Sequence, residues 1–425
     1  MSASFWVETL GCPKNQVDSD KLVGTLVADG MAPAASAAEA DLVVVNTCAF
    51  VEEARQESID TVLELADVRR RGAELVVTGC LAERYGDQLA EALPEADRVA
   101  GFGVPVALGP RPPGSRAVVP SLDLLNLPRP KAEHPWAYVK VAEGCDRACG
   151  FCAIPSFRGK QRSRLVDDVL AEIAALDARE VVLVAQDLAA YGRDQGRGER
   201  HIVTLVEEAT RLVARVRLLY LYPSDLDDRL VDTICATGVP YFDLSLQHVS
   251  PTLLRRMKRW GDGRRFLERI ASIRGREPAA ALRSNFIVGY PGETEEDHDQ
   301  LLGFVEEAQL DWCGFFAFSR EEGTFAAGLD GVVASGLVAE RLAELRELQD
   351  GITAARRDAL IGEELEVLVD EEGQGRSHRE APEIDGVVEL PAFLEVGTFH
   401  TVRIVDAQGP DLVGVPVVQP SPVGG

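Results

Sequence analysis

Three cysteines stand close together near the middle of the chain and constrain it more than any other feature. They follow the spacing C-x3-C-x2-C, at Cys145, Cys149 and Cys152. Three thiolates can hold three irons of a cubane 4Fe–4S cluster, because a thiolate is a soft ligand that suits iron–sulfur sites. The fourth iron then has no protein ligand and is open to a small molecule, which separates a catalytic cluster from an electron-transfer cluster. The thiols follow residues 136–142, whose alternating pattern predicts a strand.

A disulfide and a structural zinc site are the alternatives for these thiols. Disulfides are rare in the cytosol, and the chain shows no secretory context. A structural zinc site usually adds a fourth Cys or His at short spacing, but the nearest downstream histidine is His201. The spacing therefore favours a cluster and leaves both alternatives open.

Length and charge limit the class of protein. A chain of 425 residues predicts two to three domains. No signal peptide and no run of eighteen apolar residues is recognisable, so we expect a cytoplasmic protein with no membrane span. The net charge of −25 argues against binding dominated by nucleic acid and fits a basic partner. Acidity that only keeps the protein in solution is the alternative.

Residues 1–104 contain three similar units. Each is a short apolar run that ends at a cysteine, and a helical pattern follows it, at about residues 18–29, 52–70 and 83–93. Strands that alternate with helices predict a parallel sheet, whose loops gather at the carboxyl edge. That topology brings Cys12, Cys48 and Cys80 to one edge and predicts a second three-cysteine cluster. Three buried structural thiols are the alternative.

The remainder of the chain divides into three parts. Residues 105–135 contain eight prolines and predict a semi-rigid linker. Residues 136–361 return to alternation, with strands expected at 180–185, 217–222, 241–246, 282–288 and 311–318, which predicts a partial or full β/α barrel. Residues 362–425 show short strands and glycine-rich turns and predict a small β-barrel. Thirteen acidic residues against three arginines give residues 363–425 a net charge of −10, which has the wrong sign for RNA.

With these residues assembled, the chain resembles the methylthiotransferase branch of the radical S-adenosylmethionine enzymes. The C-x3-C-x2-C loop marks the superfamily, the three spaced cysteines mark the branch, and the last part resembles its TRAM module. Residues 11–20, 186–192, 246–251, 319–324 and 379–386 resemble the RimO type, which modifies a ribosomal protein, more than the MiaB type, which modifies tRNA. The resemblance implies an α/β multidomain fold: a flavodoxin-like parallel sheet, a radical-SAM (TIM-like) β/α barrel and an antiparallel TRAM barrel.

The resemblance also implies the chemistry and its residues. The expected reaction adds a methylthio group to the β-carbon of an aspartate in a basic ribosomal protein of the small subunit. The implied cofactors are two 4Fe–4S clusters and S-adenosylmethionine, and an electron donor protein is the further partner. The first cluster would be held by Cys145, Cys149 and Cys152, and the second by Cys12, Cys48 and Cys80.

Four further residues are candidates for contact with S-adenosylmethionine. Phe151 resembles the aromatic residue that packs against the adenine, with plain core packing as the alternative. Gln186, Gln247 and Arg283 lie at predicted strand ends and are expected to contact the cofactor or the substrate, or to be polar residues already paired within the barrel mouth. Lys160, Arg162 and Arg164 follow the cluster loop, where they would hold a carboxylate or form a solvated strand face.

Two other functions stay open at this point. A tRNA methylthiotransferase of the MiaB type would need a basic groove, which the charge disfavours. A noncatalytic metal-cluster scaffold is disfavoured because both cysteine sets leave an iron open. Cys235 and Cys313 are expected to be structural thiols, and His248 is not expected to bind a metal.

Overall fold

The computed structural model describes residues 2–106, 123–196 and 198–417. Residues 107–122, which form most of the predicted linker, lie outside the described residues. Among the described residues, no helix is both long enough and apolar enough to cross a membrane.

The first part is a parallel sheet with helices on both faces. Its elements are β1 (Ser4–Thr9), α1 (Pro13–Ala28), β2 (Ala32–Pro33), β3 (Leu42–Thr47), α2 (Glu52–Val68), β4 (Glu74–Gly79), α3 (Cys80–Ala92) and β5 (Arg98–Val99). Within residues 2–106 the strand order is β2-β1-β3-β4-β5, the flavodoxin-like order. All six residues of β3 are buried, as expected for a central strand of such a sheet.

The second part is a partial β/α barrel. Its first half contains β6 (Trp136–Lys140), β7 (Ala142–Glu143), α4 (Ile154–Arg158), β8 (Arg162–Ser163), α5 (Val166–Leu176), β9 (Glu180–Val184), α6 (Ile202–Ala209), β10 (Arg215–Leu218) and α7 (Asp228–Cys235). Its second half contains β11 (Tyr241–Gln247), α8 (Pro251–Arg256), α9 (Gly263–Arg276), β12 (Ala281–Val288), α10 (Glu295–Ala308), β13 (Trp312–Ala317) and α11 (Ser335–Asp358).

Two three-stranded parallel sheets make up the barrel wall. Their orders are β10-β9-β6 and β11-β12-β13, and a parallel bridge between Leu221 and Leu244 joins them. The predicted strand at 217–222 begins earlier and ends at Leu218, because Tyr220 has a φ of +65° that interrupts the regular strand. The described wall is therefore an open arc of six strands.

The third part is a closed barrel within residues 364–416. Its strands are β14 (Glu364–Glu371), β15 (Gln374–Arg376), β16 (Val388–Glu389), β17 (Phe399–Gln408) and β18 (Asp411–Pro416), in the order β14-β15-β16-β18-β17. All neighbours are antiparallel except β16 and β18, which pair in parallel.

One segment of the small barrel closes the amino-terminal end of the β/α barrel. Residues 377–386, between β15 and β16, place Ala381 and Ile384 against Tyr241 and Trp312, the first residues of β11 and β13. The Trp312 indole N–H also donates to the backbone carbonyl of Arg379 at 2.8 Å. The barrel is thus blocked at this end, so access to its interior is from the carboxyl ends of the strands.

Candidate functional site

A cavity of about 380 Å³ lies where the first sheet faces the mouth of the β/α barrel. Six cysteines from the two domains line it: Cys12, Cys48, Cys80, Cys145, Cys149 and Cys152. The predicted strand-end cysteines and the predicted loop cysteines therefore meet at one place. We call Cys145, Cys149 and Cys152 the loop triad, and Cys12, Cys48 and Cys80 the edge triad.

The loop triad is held by a tightly folded backbone between β7 and α4. Gly144 has a φ of +78°, and a Cβ there would clash with the backbone carbonyl of Lys160, so the turn requires glycine. The N–H of Cys145 donates to the carbonyl of Gly159 at 3.1 Å, and the N–H of Gly150 donates to the carbonyl of Met257 at 2.8 Å. These bonds fix both ends of the loop to the barrel.

The edge triad follows directly from the topology of the first sheet. Cys12 precedes α1, Cys48 follows β3, and Cys80 is the first residue of α3. Gly11 has a φ of +95°, and a Cβ there would lie only 2.7 Å from the Cβ of Cys48, so the first loop packs directly on the second cysteine. Asn15 joins these loops, since its side-chain amide donates to the carbonyls of Leu10 and Thr47 at 2.9 and 3.0 Å.

Ion pairs hold the first sheet against the β/α barrel, so that the two triads face each other. Glu321, after β13, pairs with Arg55 on α2 at 2.5 Å and with Arg84 on α3 at 2.7 Å. On the other side of the cavity, Asp18 on α1 pairs with the buried side chains of Lys140 and Arg158. The first sheet is therefore bound to the barrel on both sides of the cysteines.

Nitrogen donors face three of the sulfurs. The Arg158 guanidinium donates to Sγ of Cys80 at 2.9 Å. The Arg259 guanidinium and the backbone N–H of Arg147 donate to Sγ of Cys149 and Sγ of Cys145, each at 3.4 Å. Hydrogen bonds to sulfur stabilise the thiolate form and help to set the reduction potential of iron–sulfur sites.

Burial controls the protonation of the thiols. It raises the pKa of Cys48 and of Cys152 to about 12, and that of Cys145 to about 11. At Cys12 burial acts in the same direction, but the charges of Lys14 and Arg158 and backbone N–H groups outweigh it and hold the pKa below the ordinary value. A metal cluster bound at these thiols would therefore have to displace their protons.

The side chains of the cavity fit a cluster with a bound small molecule. Gln186 donates to Glu143 at 2.9 Å, but its Oε1 is buried and has no partner within the described residues. Gln247 lines the cavity with a φ of +74°, and Phe151 lines it beside the apolar side chains of Leu253, Met257 and Tyr290. Among the described residues, no three His, Cys, Asp or Glu side chains are close enough to share one metal ion. A cubane places each thiolate on a different iron, so that finding concerns single-ion sites only.

Other sequence candidates lie outside the cavity. Arg283 pairs with Asp243 at 3.2 Å and Asp385 at 3.4 Å and is not among the lining residues. Arg162 pairs with Asp123, Arg164 pairs with Glu172, and Lys160 is exposed. The two remaining cysteines, Cys235 and Cys313, pack against the barrel core. The His248 ring is fully buried, and its Nδ1 accepts the N–H of Ser250 at 3.0 Å.

Sequence reasoning missed several lining residues: Lys14, Arg158, Tyr220, Tyr222 and Arg259. Lys14 lies two positions after Cys12 and Arg158 six positions after Cys152, so proximity to a cysteine was the available signal. The tyrosines follow β10 at a strand end. Nothing in the sequence pointed to Arg259, because only the fold brings the turn after α8 beside the loop triad.

Comparison with known families divides the chain as the fold does. Residues 4–101 match the model of uncharacterized protein family UPF0004, residues 139–305 that of the radical SAM superfamily, and residues 361–417 that of the TRAM domain.

Full-length relatives and one solved structure agree with these matches. The chain is 40% identical to ribosomal protein uS12 methylthiotransferase RimO of Kineococcus radiotolerans, over 98% of each chain. It is 42% identical to the protein of that name from Anaeromyxobacter sp. strain K, over 97% of this chain and 93% of the relative. The radical S-adenosylmethionine methyltransferase TsrM of Kitasatospora setae shares the fold, with a TM-score of 0.50 at 15% identity over 74% of this chain and 73% of that one.

Proposed function

The chain belongs to the family of ribosomal protein uS12 methylthiotransferases, and on that premise we propose that it adds a methylthio group to the β-carbon of an aspartate in uS12. It is a radical S-adenosylmethionine transferase. The observation that carries the proposal is that two cysteine triads from two domains line one cavity. A single triad would support radical chemistry alone, whereas transfer of sulfur requires a second centre within reach of the same substrate atom.

Each triad has its own role in this proposal. The loop triad would hold a 4Fe–4S cluster that also binds S-adenosylmethionine, and the edge triad would hold a second 4Fe–4S cluster. When bound, these groups supply the radical that removes a hydrogen and the sulfur that replaces it. The guanidinium groups of Arg158 and Arg259 and the backbone N–H of Arg147 donate hydrogen bonds to the sulfurs, and the two guanidinium groups would offset the negative charge of bound clusters.

The remaining cavity residues bind and orient the cofactor. Phe151 presents an aromatic ring next to the last loop cysteine and packs against the adenine. The unpartnered Oε1 of Gln186 would accept a hydrogen bond from the cofactor, and Gln247, at the end of β11, would be a further contact. Arg283 has two carboxylate partners beneath the cavity, which supports a structural role instead of a direct contact.

The three parts of the chain divide the work. Residues 1–104 hold the sulfur-donating centre, residues 136–361 the radical centre, and residues 362–425 an acidic barrel that attracts the basic ribosomal protein. The linker, residues 105–135, connects the first two. An electron donor protein would be a further partner, and the reaction would take place in the cytoplasm, where the ribosomal subunit is found.

Mass spectrometry of uS12 tests the proposal. In cells with the gene, uS12 is expected to carry the added mass of one methylthio group on an aspartate, and in cells without it the mass is expected to be that of the unmodified protein. Restoring the gene with Cys48→Ala should leave uS12 unmodified. An unchanged uS12 mass in both cell lines, or a methylthio group found on tRNA instead, would contradict the proposal.

A further inference from the structure

We propose that Lys14 binds the side-chain carboxylate of the substrate aspartate, and that Tyr220 positions its ammonium group for this contact. The inference rests on the proposed function, because it takes an aspartate as the substrate. It adds a specificity-determining residue and a positioning residue that no cysteine motif indicates.

The surroundings of Lys14 are the main evidence. Lys14 lies in the first turn of α1, lines the cavity between the two triads, and is only 8% exposed. Its Nζ lies 3.3 Å from the centroid of the Tyr220 ring. Among the described residues, no carboxylate forms an ion pair with it. A buried ammonium that has no carboxylate partner can take an anionic ligand as its counter-ion.

The arginines of the cavity are already occupied. Arg147 pairs with Asp187 at 2.6 Å and also with Asp225. The Arg158 guanidinium pairs with Glu143 and Asp18.

Arg259 donates to Sγ of Cys149 and to the carbonyl of Ser245, so both of its terminal nitrogens are used beside the loop triad. Lys14, by contrast, lies over the Tyr220 ring and beside Cys12, and within the described residues no carboxylate pairs with it.

The backbone of Tyr220 shows why the ring lies beneath the ammonium. Its φ of +65° is unusual for a bulky residue and persists only where neighbours enforce it. One oxygen of Asp243 accepts the N–H of Tyr220 at 2.9 Å, and the other accepts Arg283 at 3.2 Å. Arg283 is bound in turn to Asp385 of the segment that closes the barrel. Arg283, one of the sequence candidates, therefore does not line the cavity but is linked to Tyr220 through Asp243.

The chemistry of the substrate matches a lysine at this position. The β-carbon of aspartate is bonded directly to the carboxyl carbon, so an ion pair with the carboxylate fixes the carbon that reacts. An ammonium group presents three donors around a compact charge. The same contact discriminates against asparagine, which has the shape of aspartate without its charge.

A binding experiment on the holoenzyme tests the inference. Two uS12 peptides, one with aspartate at the modified position and one with asparagine, are titrated by fluorescence anisotropy in the presence of S-adenosylmethionine. The wild type is expected to bind the aspartate peptide roughly tenfold more tightly, the effect of one charge-assisted contact. Lys14→Met is expected to bind both peptides equally, Lys14→Arg to retain part of the preference, and Lys131→Met, at an exposed lysine paired with Asp177, to retain all of it.

Two further measurements separate the possible failures. Tyr220→Leu keeps the ammonium but removes the ring and should reduce the preference for the aspartate peptide while the iron content per chain is unchanged. This variant also replaces Lys14→Met if that variant does not fold.

A wild type that modifies the aspartate peptide but binds both peptides equally would overturn the role of Lys14 and leave the proposed function intact. A Lys14→Met protein that loses iron and keeps the preference would assign Lys14 to the cluster and also overturn the inference. A wild type that binds the aspartate peptide selectively but never modifies it would contradict the proposed function instead.

Discussion

Arg158 connects the two halves of the site more directly than any residue of the cysteine motifs. Its guanidinium donates to Sγ of Cys80 and to Oδ1 of Asn15 in the first domain, and to Glu143 next to the loop triad. Its side chain is 3% exposed. The buried guanidinium of Arg158 thus binds the Cys80 thiol on one side of the domain interface and the Glu143 carboxylate on the other.

Replacing Arg158 by Met should destabilise the protein by about 3–5 kcal/mol, because the carboxylates of Glu143 and Asp18 would be left buried with one cation fewer. The measurement is the midpoint of denaturant unfolding under anaerobic conditions. Arg162→Met is the matched control, since the Arg162 side chain is 56% exposed and its pair with Asp123 is worth less than about 1 kcal/mol. Equal effects of both substitutions would show that Arg158 does not stabilise the interface.

His248 gives the fold a pH dependence with a defined sign. Burial lowers the pKa of this imidazole to about 4, the charges of His298 and Arg341 act in the same direction, and that of Asp297 acts in the opposite one. The unfolded ring has a pKa of about 6.5, so the neutral ring stabilises the fold above that pH, and the contribution is lost as the pH falls toward 4.

The corresponding prediction concerns His248→Gln. The free energy that this substitution costs should be smaller at pH 5.5 than at pH 7.5 by about 1 kcal/mol, because only the wild type must exclude a proton. Denaturant unfolding of both proteins at the two pH values measures the difference. A pH-independent difference would mean that the buried ring is not held neutral.

At the residue scale, the sequence predicted that the cysteines of each triad lie together, but it predicted little of their surroundings. The six positions followed from spacing and from strand-end placement, which are local signals. The roles of Lys14, Tyr220 and Arg158 depend on contacts with residues on other elements. A local sequence pattern does not show such contacts. Arg283 was expected at the pocket because it lies at a predicted strand end; it pairs with Asp243 and Asp385 and is not among the residues that line the cavity.

The elements join through a buried charge cluster between the β/α barrel and the small barrel. Glu180, the first residue of β9, is completely buried and pairs with Arg217 at 2.7 Å and with Arg376 of β15 at 3.3 Å. The nearby arginines hold the pKa of Glu180 at about 2 despite burial. This cluster fixes the segment 377–386 where it closes the barrel.

Glu180→Gln should therefore release the small barrel from the β/α barrel. Loss of the carboxylate leaves the buried Arg217 guanidinium without its carboxylate partner, at a cost of about 3–5 kcal/mol. Limited proteolysis should then cut near residues 359–363, where α11 ends and β14 begins. Glu366→Gln is the control, because Glu366 pairs with Arg215 but is 67% exposed. Resistance of the Glu180→Gln protein to cleavage would argue that apolar packing alone holds the barrels together.

At the element scale, the alternating pattern predicted the long strands and most helices. The helix α10 begins at a capping box formed by Thr294 and Asp297, which is a local sequence signal. The sequence did not predict the two-residue strands β2 and β5 or the three-residue strand β15. Two or three residues are too few to show an alternation of apolar and polar side chains. The way segment 377–386 closes the barrel was also missed, since burial of Ala381 and Ile384 depends on a distant sheet.

For the whole molecule, charge predicts how the substrate arrives. The chain carries −25 and residues 363–425 carry −10, whereas uS12 is expected to be basic. The association rate of enzyme and uS12 should fall steeply as salt rises, because exposed charges are screened beyond about 10 Å at 0.1 M. Stopped-flow association at increasing ionic strength measures this. A salt-independent rate would remove the role assigned to the acidic barrel.

The central claim is that two open clusters share one cavity, and anaerobic analysis of iron and acid-labile sulfide tests it most directly. The purified wild type should contain about eight irons and eight sulfides per chain. Replacing Cys12, Cys48 and Cys80 together by Ala should leave about four irons and still allow reductive cleavage of S-adenosylmethionine. About four irons in the wild type, or zinc in place of iron, would contradict the account.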